Sequence, residues 1–149
     1  MSEPTNPDHV NLDDWQLIAQ LCQIFRNCSD AFTDQVDIPR GQAAVLCVVA
    51  RQSGMTQSAI AETLFVQGAT ITTMLQKMEE AGLVIRRRDT DDNRLVRVYI
   101  TETGLQKEQR INEQWGTMQD LAFNGLSSED RDLLRRCLQQ IIQNILNGR

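Results

Sequence analysis

Apolar positions recur along most of the chain with the 3.6-residue period of a helix, and that period changes once. Leu12, Trp15, Ile18, Leu21, Cys22, Phe25, Cys28 and Phe32 form the first helical stripe, with Asn11 as its expected N-cap. Leu17 and Ile24 widen the stripe, which predicts burial on two sides, against the chain's own core and against a partner. Pro39 suits the first turn of a second helix, whose run from Ala43 to Ala50 is apolar nearly all round, as in a central helix, and which Gly54 ends. Thr56 caps a short helix through Thr63; after a break at residues 64–68, a further helix runs from about Ala69 to Ala81 and closes on Gly82.

The period then becomes two. Val84 to Arg88 and Leu95 to Ile100 read as the strands of a hairpin with a polar tip from Asp89 to Arg94. Thr101 caps a long helix carrying Leu105, Ile111, Trp115, Met118 and Ala122, which stops near Asn124 and Gly125. Ser127 and Asp130 have the spacing of a capping box for the last helix, where Leu134, Leu138, Ile141 and Ile145 make a seam flanked by Leu133, Cys137, Ile142 and Leu146. The order predicts a mostly α fold: a winged helix-turn-helix with a two-stranded β-hairpin wing and long N- and C-terminal dimerisation helices. Residues 1–10 read as a flexible leader and 11–149 as one domain. Its DNA-binding part covers about 40–100, and its dimerisation helices about 11–35 and 102–147.

Charge first argues against a nucleic-acid partner and then for one. The 149 residues carry a formal charge of −5, whereas phosphate binding needs local cationic density. Between Arg86 and Arg97, however, five arginines face three aspartates, a net +2 inside an acidic chain. No apolar run approaches the ~20 residues that cross a bilayer, and the acidic, proline-containing start is not a secretory leader, so a cytoplasmic protein without a membrane partner is expected. The one histidine, His9, lies in the leader, which leaves no imidazole base for a catalytic triad and no His-rich metal site. Cys22, Cys28, Cys47 and Cys137 show no C-x-x-C spacing and read as reduced thiols packed in helices. Neither a catalytic residue, a cofactor nor a metal is expected.

The candidate chemistry is recognition of double-stranded DNA. The helix beginning Gln67-Gly68-Ala69-Thr70 exposes Thr70, Thr72, Thr73, Gln76 and Lys77, while Ile71, Met74, Leu75 and Met78 turn inward. Small polar groups at a helix N-terminus suit base edges and phosphates. Arg86 and Arg88 enter the hairpin, Arg97 lies on its return strand, and Arg94 at the tip suits a minor groove, with Asp92 two residues earlier holding its side chain.

Three segments carry a family resemblance: Leu83-Val84-Ile85-Arg86-Arg87, then Asp91-Asp92-Asn93-Arg94, then Val98-Tyr99-Ile100-Thr101-Glu102-Thr103-Gly104. With Thr56-Gln57-Ser58-Ala59-Ile60-Ala61-Glu62 before them, they resemble the helix-turn-helix, wing and following helix cap of MarR-type regulators, over about Leu12 to Leu146. The resemblance implies a homodimer, a pseudopalindromic operator, and a small-molecule or oxidant signal that weakens DNA binding. It implies a transcriptional regulator, a repressor before an activator. The chain departs from the family in having Gly68 near the start of the recognition helix and Asn93 beside the tip arginine, where members commonly carry a cation. The stretch from Leu64 to Thr72 is similar to the hydroperoxide-sensing branch, whose reactive cysteine lies in the first helix. Cys22 is the candidate redox sensor here, over a shorter stretch to the second helix than that branch has. The alternative is a winged-helix protein-interaction module without DNA binding, favoured by Gly68, Asn93 and the acidic balance; a thiol enzyme lacks a resolving cysteine and an imidazole base.

Overall fold

Helix ends in this chain are set by capping side chains and by backbone turns into the left-handed region. The structure, a computed structural model, describes residues 12–148. The leader, His9 and the expected cap Asn11 lie outside the described residues. The first helix, α1 (Asp14–Gln35), is capped by Asp13, whose carboxylate accepts from the Gln16 amide at 2.8 Å while Gln16 returns a bond to the Asp13 amide. It ends where Asp37 turns to φ +50°, so that the amides of Asp37 and Ile38 reach back to the carbonyls of Asp34 and Thr33. Lys107 donates to the Val36 and Asp37 carbonyls, adding a cation at that end.

The next four elements are α2 (Arg40–Arg51), β1 (Met55–Thr56), α3 (Gln57–Thr63) and α4 (Gly68–Glu80). Pro39 is the N-cap of α2, and Val45, Leu46 and Val49 of that helix are fully buried, as its all-round apolar run requires. Around them lie Ile60 of α3 and Ile71, Leu75 and Met78 of α4. Thr56 caps α3 by accepting from the Ala59 amide. The helix closes with Phe65 in the left-handed region, at φ +54°, in a position that favours glycine. Helix α4 closes the same way on Gly82, at φ +70°.

The strands β2 (Val84–Arg88) and β3 (Val96–Ile100) pair antiparallel, with Val84 opposite Ile100 and Arg88 opposite Val96. The two-stranded hairpin expected as the wing is present, and β1 joins it to make a three-stranded sheet in the order β1-β3-β2, because Met55 and Thr56 pair with Val98 and Arg97. Two residues are too short a run to show a period of two. This strand is made by Gly54, which at φ +79° turns the chain and donates to the Val98 carbonyl. Val84 and Val98 close the core from the sheet side.

The last helices are α5 (Glu102–Ala122) and α6 (Ser128–Asn147). Thr101 accepts from the Gly104 amide, and Ser127 with Asp130 completes a reciprocal capping box. The chain divides into two compact units, one up to Ile111 and the other from Asn112 onward. In the second unit α6 buries none of its residues, and Leu133, Leu134, Leu138, Ile142, Ile145 and Leu146 are exposed. In the first unit α1 buries only Ser29 and Thr33, leaving Trp15, Leu21, Ile24 and Phe25 more than half exposed. Burial of α1 on its own core is therefore confined to its last two turns. No described helix is long and apolar enough to cross a membrane.

Candidate nucleic-acid interface

The burial of Ile71, Leu75 and Met78 fixes which side of α4 faces outward. Thr70, Thr72, Thr73, Gln76 and Lys77 are all exposed, as expected, and Met74 is half-buried at the edge of the inward side. Gln67 is the N-cap and makes no side-chain capping bond, so the first amides of α4 keep their donors, and no Cβ contact would crowd Gly68. Thr72 and Thr73 donate to the carbonyls of Gly68 and Ala69, at 3.0 and 3.1 Å. Gln57 at the start of α3 reaches Thr72 Oγ1 at 3.3 Å, tying the two helices of the helix-turn-helix. The first turn of α2 approaches closely: a Cβ at Gly41 would stand 3.1 Å from the Met74 sulfur. An open groove of about 600 Å³ runs between them, bordered by Pro39, Gln42, Thr70, Thr73 and Lys77.

The wing arginines divide by what holds them. Arg86, half-buried, is gripped by Glu79 of α4 through Nε at 3.0 Å and Nη2 at 2.8 Å, and its own amide donates to the same carboxylate. Those bonds, the amide first and the guanidinium second, hold the Glu79 carboxyl below its usual range. Arg97 bonds the buried Asp89 carboxylate through Nε and the Gly54 carbonyl through Nη1 at 2.9 Å. Asp89 also accepts from the amides of Asp91 and Asp92, both at 2.9 Å. The Arg97 bond and then these amides bring its pKa from 3.8 to about 2. Arg86 and Arg97 thus fasten the wing to α4 and to the Gly54 turn before β1.

Arg94 projects from the tip with its side chain 89% exposed. Asp92 accepts from its Nε and Nη2, both at 2.9 Å, and from its amide at 3.0 Å, so the guanidinium is aimed without being covered. This contact holds the Asp92 carboxyl low and the Arg94 guanidinium high. Arg88 is exposed, and among the described residues no acid pairs with it. Arg87, which enters the hairpin with Arg86 and Arg88 but was not among the candidate contact residues, lies over the Tyr99 ring at 5.8 Å and is also exposed. Glu79, Asp89 and Gly54 were missed as well. The Asp89-x-Asp91-Asp92 spacing of an Asx turn was a signal for the second of them.

Cys22 is exposed on α1, and Cys137 on α6. Burial first, and the Glu108 carboxylate second, push the Cys47 thiol up, so its thiolate is disfavoured. Among the described residues, no group of three or more His, Cys, Asp or Glu side chains is placed to share a metal ion.

Residues 38–96, from just after α1 to the start of β3, match the MarR family. The transcriptional regulator HosA of Escherichia coli is 31% identical over 130 residues, which cover 86% of this chain and 93% of HosA. The organic hydroperoxide resistance transcriptional regulator of Bacillus subtilis is 27% identical over 145 residues, 93% of this chain and 94% of that protein. The fold matches that of MepR in the S. aureus MepR–DNA complex with a TM-score of 0.80 at 21% identity, over 89% of this chain and 96% of MepR. The helix-turn-helix and the first strand and tip of the wing thus fall inside the matched segment, and the likeness to HosA extends beyond it. This chain belongs to the MarR family of transcriptional regulators.

Proposed function

We propose that the protein is a cytoplasmic, homodimeric repressor that binds a pseudopalindromic double-stranded operator and acts by occupancy, not by catalysis. The observation that carries this reading is the outward polar face of α4 set beside a wing whose tip arginine is exposed and aimed by Asp92. Gln67, Gly68 and Thr70 would meet phosphates at the helix start. Thr72, Thr73 and Gln76 would meet base edges, with Lys77, Arg88 and Arg94 supplying cations. Arg86 and Arg97, with Asp92, support those contacts by fixing the wing. The test is selection of bound duplexes from a random pool. The expected product has two-fold symmetry, half-sites about one helical turn apart, and affinity that falls with salt. Binding that enriches no sequence, or does not respond to salt, overturns the reading.

Release would come from a signal that binds or modifies the DNA-incompetent arrangement in preference. Exposure of Cys22 and likeness to a hydroperoxide resistance regulator support an oxidant as that signal. Peroxide should release the operator from the parent protein but not from Cys22→Ser. Equal release from both rules Cys22 out as the switch.

A further inference from the structure

Thr72 and Thr73 stand side by side on the outward face of α4, and neither has a hydroxyl proton left for DNA. Their Oγ1 atoms lie 3.0 Å from the Gly68 carbonyl and 3.1 Å from the Ala69 carbonyl. A carbonyl can only accept, so each hydroxyl gives its single proton back to its own helix. Thr72 Oγ1 is held further by the Gln57 amide, which takes one of its lone pairs. An oxygen turned back along the helix leaves the γ-methyl as the outward group of each side chain. Next to them, Gln76 gives one Nε2 proton to Glu80 at 3.3 Å and keeps its carbonyl oxygen and its second amide proton for an incoming base.

At Thr72 and Thr73 this stretch of α4 therefore offers methyl groups and no donor; the donors beside them are the second amide proton of Gln76 and the one cation of the helix, Lys77. Guanine presents two acceptors, N7 and O6, to the major groove and needs donors to be read. Thymine presents a methyl group, and adenine presents a donor at N6. We infer that Thr72 and Thr73 read thymine methyl groups through their own γ-methyls, selecting A·T pairs over guanine at the bases they face. The inference rests on the DNA-binding reading above.

Paired substitutions on protein and DNA test it. Valine keeps the γ-methyl and the shape of threonine without the hydroxyl; serine keeps the hydroxyl without the methyl. The probe is the duplex enriched by the parent protein, compared with the same duplex carrying deoxyuridine for thymine in both half-sites, which removes only the methyl. Thr72→Val and Thr73→Val should keep the parent's sensitivity to the uracil exchange, whatever Thr72→Val loses with the Gln57 bond. Thr72→Ser and Thr73→Ser should each lose about fourfold per half-site, the worth of one buried methyl-sized group, and should lose sensitivity to the uracil exchange. The parent should itself weaken on the uracil duplex, a measurement independent of how any variant folds. Serine variants that bind like the parent, valine variants that lose sensitivity to the uracil exchange, or a uracil duplex bound as well as the thymine one would each overturn the inference while leaving DNA binding intact. A parent protein that enriches no duplex overturns the DNA reading and this inference with it.

Discussion

Similar side chains in the wing hold different jobs because different acids reach them. Arg94 is aimed by Asp92 and left in solvent, so its energy on DNA should come from phosphate and groove potential. Arg94→Ala should weaken binding to many sequences alike and make the salt slope shallower by about one unit. Competition binding at several salt concentrations measures this, and an unchanged slope removes the wing contact. Asp89 works inside the protein: its carboxylate collects Arg97 and two amides, and its pKa falls from 3.8 to about 2. A carboxyl depressed in the folded state contributes fully above its unfolded value and loses that contribution as pH falls through the folded one. Urea midpoints of the parent and Asp89→Asn should therefore differ by a constant amount above about pH 5, and the gap should close between about pH 4 and 2. A gap that widens on acidification contradicts the assignment.

At the scale of elements, the recognition helix and wing are positioned by a few close approaches. The Leu83 carbonyl, between α4 and β2, accepts from the amide of Thr101 just before α5, and the Thr101 hydroxyl donates to the neighbouring Gly82 carbonyl at 2.6 Å. Gly104 lets the Leu83 carbonyl lie against the first turn of α5: a Cβ there would overlap the Leu83 oxygen and come within 2.9 Å of Ile100 Cγ1. Because the obstructing atom is backbone, it cannot swing aside. Gly104→Ala should cost about 1–3 kcal/mol in denaturant unfolding, even though alanine is the better helix former. It should also weaken operator binding by shifting the wing. Equal stability of the two proteins would mean that the α5 start yields more easily than its packing implies.

At the scale of the whole molecule, α1 and α6 each expose a stripe of large apolar side chains. Trp15, Leu17, Leu21 and Ile24 on one, and Leu138, Ile142 and Ile145 on the other, form stripes too apolar to remain in water. Sedimentation at micromolar concentration should show a dimer, and Leu138→Arg with Ile145→Arg should shift it to monomer; a folded monomer of the parent protein refutes the interface. By itself the sequence determined the helices, the wing strands and the outward face of α4, because caps and hydrophobic periods are local signals that act within a few residues. It also showed that basic charge gathers in the wing. Only the tertiary structure decided that Glu79 and Asp89 claim Arg86 and Arg97, that Met55 and Thr56 add a third strand, and that Arg94 stays free of the core. Those outcomes depend on residues distant in sequence or on the detailed path of the backbone. A composition count gives the number of charges, whereas the fold brings particular pairs within hydrogen-bonding reach and leaves the others to solvent.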